Sequence, residues 1–169
     1  MSPPWSRPLD VDRLADGGAD VDFAVPLAEL SGLRSRSGSV AGEVHGRAHF
    51  TRQQGVAVVE LTLNGAATLE CQRCLQPMGL PVDTVVRVGL VGTEADVARV
   101  PAELEPMLAS GGRVSIGELV TEELLLTLPI VPLHAGRAPC VAAPAAAAAG
   151  ERASETYKPF ARLGELLKR

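Results

Sequence analysis

Residues 56–74 read VAVVELTLNGAATLECQRC: a β-branched, apolar run that breaks at Asn64-Gly65, resumes, and ends in a Cys-x-x-Cys. Val56 to Leu63 has the composition of a buried strand. Asn-Gly is the strongest short hairpin signal, because both residues tolerate the positive φ of a type I′ turn. Ala66 to Glu70 is therefore expected as a returning strand that delivers Cys71 at its end. Upstream, Val40, Val44, Ala48 and Phe50 alternate with Glu43, His45, Arg47 and His49, a period of two that marks a half-buried strand. Downstream, Val82, Thr84, Val86, Val88 and Leu90 alternate with Asp83 and Arg87 in the same way. Four strands joined by short connections predict an α+β fold built on an antiparallel β-meander or partly closed barrel, with a few short helices.

Beyond residue 93 the period changes. Ala102 to Leu108 has weak helical character, interrupted by Pro106, and Ser115-Ile116-Gly117-Glu118 supplies a capping box for a helix to about Leu128. Ile116, Leu119, Val120 and Leu124 share its apolar face, and Pro129 and Pro132 stop it. Before residue 38, Leu9–Leu14 and Phe23–Leu33 read as two short helical turns joined by the Asp-Gly-Gly loop at 16–18. The expected organisation is an N-terminal helical or irregular segment (1–38), an α+β core with the Cys-x-x-Cys knuckle (39–140), an Ala-rich linker (141–156) and a C-terminal amphipathic tail (157–169). In that tail Phe160, Leu163 and Leu167 fall on one side, and a helix so short must dock on something to be stable.

Length and composition bound the function. At 169 residues the chain is about one domain, and 46% hydrophobic with 21% charged residues is ordinary for a folded soluble protein. Only Trp5, Phe23, Phe50, Tyr157 and Phe160 are aromatic, so the core must be aliphatic. The longest apolar stretch, Leu124–Leu133, is broken by Thr127, Pro129 and Pro132 and is too short for a membrane span. Met1 to Arg7 leads to no apolar signal run, so the reducing cytoplasm is expected. The net charge of −4 excludes coating nucleic acid by bulk charge. By segment, however, residues 1–30 carry −4, 31–93 carry +2, 94–130 carry −5 and 131–169 carry +3. An RNA would have to meet the second or fourth segment.

The chemistry lies in the three cysteines. An odd number closes no disulfide framework. Cys71-Gln72-Arg73-Cys74 between two strands brings two thiolates towards one tetrahedral ion, and His134 with Cys140, in a Pro/Gly-containing loop, would complete a three-cysteine, one-histidine zinc site. A redox dithiol and simple packing are the alternatives; the redox reading lacks a helix N-terminus to depress a thiol. His45 and His49, four residues apart on a strand, are about 13 Å apart and read as solvated or RNA-facing. Glu122 and Glu123 diverge on their helix and read as an exposed acidic face. The glycines 38, 42 and 46 are expected at close-packing positions. No Gly-rich phosphate loop, Gly-x-Ser-x-Gly elbow or His-Glu-x-x-His is present, so no catalytic residue is assigned and no enzyme is expected.

Together, the string Leu69 to Cys74, the run Ile116 to Val120, the helix end Glu122-Glu123-Leu124-Leu125-Leu126-Thr127-Leu128-Pro129, then His134, Cys140 and the tail Lys158-Pro159-Phe160-Ala161-Arg162-Leu163 resemble the bacterial YceD family over roughly residues 40–169. The resemblance implies a non-enzymatic, cytoplasmic factor in the synthesis, processing or stability of large-subunit (23S) ribosomal RNA. Its implied partner is that RNA or a pre-ribosomal particle, and the order Cys, Cys, His, Cys fits zinc. On this basis RNA contact is expected at Arg47, Arg52, Arg73 and Arg87, with Lys158, Arg162, Lys168 and Arg169 as a second candidate surface. The competing class is a protein-docking module with a structural zinc site, whose acidic segment 94–130 meets a basic ribosomal or processing protein without touching RNA.

Overall fold

The computed structural model describes residues 3–135 and residue 140; the linker and tail assigned above to 141–156 and 157–169 lie outside the described residues. Among the described residues seven strands and three α-helices follow one another: β1 (Leu9–Asp10), α1 (Val11–Gly17), β2 (Asp20–Pro26), α2 (Ser31–Ser37), β3 (Val40–Gln53), β4 (Val56–Glu70), β5 (Pro77–Val91), β6 (Glu105–Leu108), β7 (Arg113–Val114) and α3 (Ile116–Thr127). Five of the strands form one open sheet in the order β2-β3-β4-β5-β6, not closed into a barrel. The first four are antiparallel neighbours, the expected meander, and β6 joins parallel to β5.

The members of that meander differ from the expected ones. Asn64-Gly65 makes no turn: β4 runs unbroken from Val56 to Glu70, with His45 opposite Asn64 and Val44 opposite Gly65. The inward residues Val59, Leu61 and Leu63 before the dipeptide and Ala67 and Leu69 after it keep one phase, so a continuous strand buries them all on one face. Gly65 instead permits close approach; a Cβ there would lie 2.4 Å from the Glu43 carbonyl oxygen. The turn that does reverse the chain is Gln54-Gly55, both at positive φ (50° and 83°), as a two-residue hairpin requires.

The strand that replaces the lost one comes from the N-terminal segment. Phe23–Leu33, expected as a helical turn, contains the end of β2, a 3-10 turn at Leu27–Glu29 and the start of α2. Phe23 lies opposite Gly46, where a Cβ would meet its ring at 2.8 Å and the Thr62 carbonyl oxygen at 2.0 Å, so Gly46 is the close-packing position expected of it. Residues 105–108 are likewise a strand rather than a helix. Pro106 has no N–H to give, which an edge strand tolerates.

The inward face of the sheet and the helices enclose an aliphatic core in which Phe50, Leu27, Leu33, Leu61, Leu63 and Leu124 are fully buried. α3 begins as expected. The Ser115 hydroxyl accepts from the Glu118 N–H at 3.2 Å and the Glu118 carboxylate accepts from the Ser115 N–H at 2.7 Å. Ile116, Leu119, Val120 and Leu124 are buried as expected, together with Thr121 and with Gly117, which admits the Trp5 ring. Among the described residues no helix is long and apolar enough to cross a membrane.

Candidate metal centre

Where β4 ends and β5 begins, residues 71–76 form a tight connection. The Cys71 N–H donates to the Gln76 carbonyl at 2.9 Å and the Leu75 N–H to the Cys71 carbonyl at 2.8 Å. This curl turns both Cys71 and Cys74 to one side. It also forces Leu75 into the left-handed region (φ 59°) with its side chain 64% exposed, a conformation that costs a branched residue about 1–2 kcal/mol.

The other two donors arrive from the chain that leaves α3. It passes back across the knuckle, where the Pro132 carbonyl accepts from the Gln72 N–H at 2.9 Å. His134 then stands with Nδ1 3.4 Å from Cys74 Sγ and 3.5 Å from Cys140 Sγ, and Cys140 Sγ lies 3.8 Å from Cys71 Sγ. All four donor atoms fall within 4.8 Å of one another, with Cys71 buried and the others half-buried. The grouping of residues sixty apart in sequence is the juxtaposition that spacing alone left open.

These distances fit a metal ion. An ion held tetrahedrally about 2.3 Å from sulfur and about 2.0 Å from imidazole nitrogen separates its donors by about 3.8 Å sulfur to sulfur and about 3.5 Å sulfur to nitrogen. The observed 3.8, 3.4 and 3.5 Å lie on those edges. The remaining ring nitrogen of His134 lies 3.3 Å from the Pro77 carbonyl, which fixes Nδ1 as the lone-pair side. Pro77 carried no signal in the sequence as a partner of the site.

The electrostatics favour thiolates at Cys71 and Cys140 and oppose one at Cys74. Burial opposes ionisation of Cys71, yet the backbone N–H groups of His134, Arg73 and Cys74 point at its sulfur and bring its pKa down to about 5. Burial likewise opposes ionisation of Cys140, but the Arg73 guanidinium, with Nε 3.0 Å from the sulfur, and the His134 ring hold it below its ordinary value. Burial, with the other two sulfurs close by, pushes Cys74 up. His134 is raised by its bonds to Cys140 and Cys71. One base therefore belongs to the site itself: Arg73 bonds Cys140 and reaches the His134 carbonyl at 3.4 Å.

The three other nominated arginines lie elsewhere. Arg47 and Arg87 stand on the outward face of the sheet, Arg47 bonded to Asp22 at 2.7 Å and Arg87 to Gln53 at 2.7 Å with Glu60 at 3.8 Å. Arg52 ties the end of β3 to α1 through Asp12 at 2.8 Å and Asp16 at 2.6 Å. His45 and His49 are on the outward face too, paired with Glu43 and Asp20. The register places Asp20, Asp22, Glu43, Glu60 and Asp83 in the rows of these bases, so that face carries both signs. The structure thus brings the four soft donors together with Arg73 and leaves the other arginines apart.

A family match completes the picture. Residues 59–167 match the family described as large ribosomal RNA subunit accumulation protein YceD, and they include all four donors of the cluster. The chain belongs to the YceD family. No solved structure matches it. The YceD match starts inside β4, so β1 to β3, including the strand that pairs Phe23 over Gly46, lie before it.

Proposed function

We propose that the chain is a non-enzymatic factor in the synthesis, processing or stability of large-subunit ribosomal RNA in the cytoplasm, acting by binding RNA or a ribosome-assembly partner. The observation that carries the proposal is the family match, whose description names accumulation of the large ribosomal RNA. Its test is deletion in the host followed by the ratio of large to small ribosomal RNA; a fall in that ratio is expected, and an unchanged ratio would reject the role.

Within that role, Cys71, Cys74, His134 and Cys140 hold a structural zinc ion. Soft thiolates with one imidazole in a tetrahedral arrangement favour zinc among common divalent ions. When bound, zinc supplies a cross-link between the β4–β5 knuckle and the segment after α3. Four protein donors fill its coordination, so the site is built for folding rather than for activating a water.

RNA contact at Arg47, Arg52, Arg73 and Arg87 requires each to exchange its present partner for phosphate. Arg47 and Arg87, in exposed pairs that salt already screens, exchange most readily. The acids beside these arginines repel phosphate, which favours the alternative in which the acidic segment 94–130 docks a basic protein. A pull-down from host lysate with and without RNase separates the two. Binding to RNA that weakens steeply with salt, and is lost when Arg47, Arg73 and Arg87 are changed to Ser, supports direct contact; RNase-resistant capture of a basic ribosomal protein supports docking.

A further inference from the structure

Between α3 and the β5–β6 edge runs an open groove of about 730 Å³ that the metal centre does not use. Leu61, Val86, Val88 and Met107 line its apolar floor, and Leu126, 71% exposed, stands at its mouth. Glu105, Glu118, Glu122 and Glu123 line the same groove, against Arg113 as the base among its lining residues. Among the described residues, Glu118 and Glu123 accept from neutral donors, the Ser115 N–H and hydroxyl and the hydroxyls of Thr84 and Thr127, and those bonds do not cancel their charge. An apolar floor beneath an acidic rim fits an amphipathic segment whose polar side is basic.

The sequence of this chain contains such a segment. Residues 157–169 place Phe160, Leu163 and Leu167 at helical spacing and carry Lys158, Arg162, Lys168 and Arg169 against Glu165. As a helix it is about 20 Å long, close to the length of α3, along which the groove lies. The reach is sufficient. Sixteen residues separate Cys140 from Tyr157, spanning about 50 Å when extended and about 20 Å as a relaxed coil. Along β5, Met78 at the knuckle end and Val88 in the groove are about 33 Å apart, between those limits.

We propose that residues 157–169 dock on their own chain as a helix laid in this groove, with Phe160, Leu163 and Leu167 over Val86, Val88 and Met107 and the flanking bases Arg162 and Lys168 towards Glu105 and Glu122. The proposal does not rest on the zinc reading or on RNA contact at Arg47, Arg52, Arg73 and Arg87; it assigns to the groove the tail bases named above as a second RNA surface and acids of segment 94–130. Hydrogen exchange read by mass spectrometry on the full chain tests it against a Phe160→Asp, Leu163→Asp double variant. Both substitutions are in the tail, and unchanged exchange in β3 and β4 verifies that the sheet still folds. In the unaltered chain the tail and residues 84–90 and 105–108 are expected to exchange at least about tenfold more slowly than in the variant. A Glu105→Lys, Glu122→Lys chain should lose part of that protection and regain it when Arg162→Glu and Lys168→Glu are added. Equal exchange in the groove of both chains overturns the proposal. So does protection that appears only at concentrations where the protein sediments as a dimer, since the groove would then hold the tail of a second copy.

Discussion

Stripping the ion from the knuckle is expected to lower the melting temperature by about 8–16 °C. The ion would join Cys74 to His134, closing a loop of about 60 residues. Loop-closure entropy for a cross-link of that span is about 14 cal/mol/K, or about 4 kcal/mol at 25 °C. For a chain of this size each kcal/mol moves the midpoint by about 2–4 °C. The Gln72–Pro132 backbone bond already holds part of the same junction, so the lower half of the range is the better target. The assay is calorimetry of reduced protein before and after chelation, with metal content measured on both samples. Freshly purified reduced protein should carry about one equivalent of zinc, and Cys140→Ser should lie between the loaded and stripped forms. A midpoint that moves less than about 2 °C on loss of a full equivalent refutes the cross-link reasoning. Less than about a tenth of an equivalent at the outset removes the ion itself.

Three other outcomes follow from the geometry. Leu75→Gly should stabilise the protein by up to about 1 kcal/mol, because glycine adopts the left-handed conformation without strain; a lower melting temperature would show that the exposed leucine makes a needed contact. Leu63→Ala, at a fully buried position in the middle of β4, should cost about 2–5 kcal/mol in denaturant unfolding, and a loss under about 1 kcal/mol would contradict the packing described. Asp22 should titrate below its ordinary 3.8 because the Arg47 guanidinium donates to it, and Arg47→Gln should return it to that value by NMR titration. A carboxylate so depressed contributes stability above its unfolded pKa and loses it as pH falls through the lower folded value, so Arg47→Gln should flatten the acid side of the stability curve.

Periodicity and local chemistry by themselves determined much of this protein. The alternation from Val40 to Phe50 and from Val82 to Leu90, the Ser115–Glu118 capping box and the proline stop after α3 are local signals, and each appears where the sequence puts it. The Cys-x-x-Cys knuckle was legible for the same reason: a short connection between two strands confines its side chains. Tertiary structure decided the rest, because it compares segments that sequence windows treat separately. Asn64-Gly65 carries a turn signal, but the chain on both sides shares one inward phase along the full length of β3, and the ladder overrides the local preference. Phe23 reads as part of a helical turn until Gly46 offers its ring a bare backbone to cover. The cluster of three cysteines and one histidine divides in the same way. Donor types and order are written in the sequence, whereas the 3.4–3.8 Å edges exist only because the chain after α3 returns to the knuckle, where the Pro132 carbonyl accepts from the Gln72 N–H. Arg73 shows the same division: its charge is plain in the sequence, but only the fold sets its guanidinium against the Cys140 sulfur.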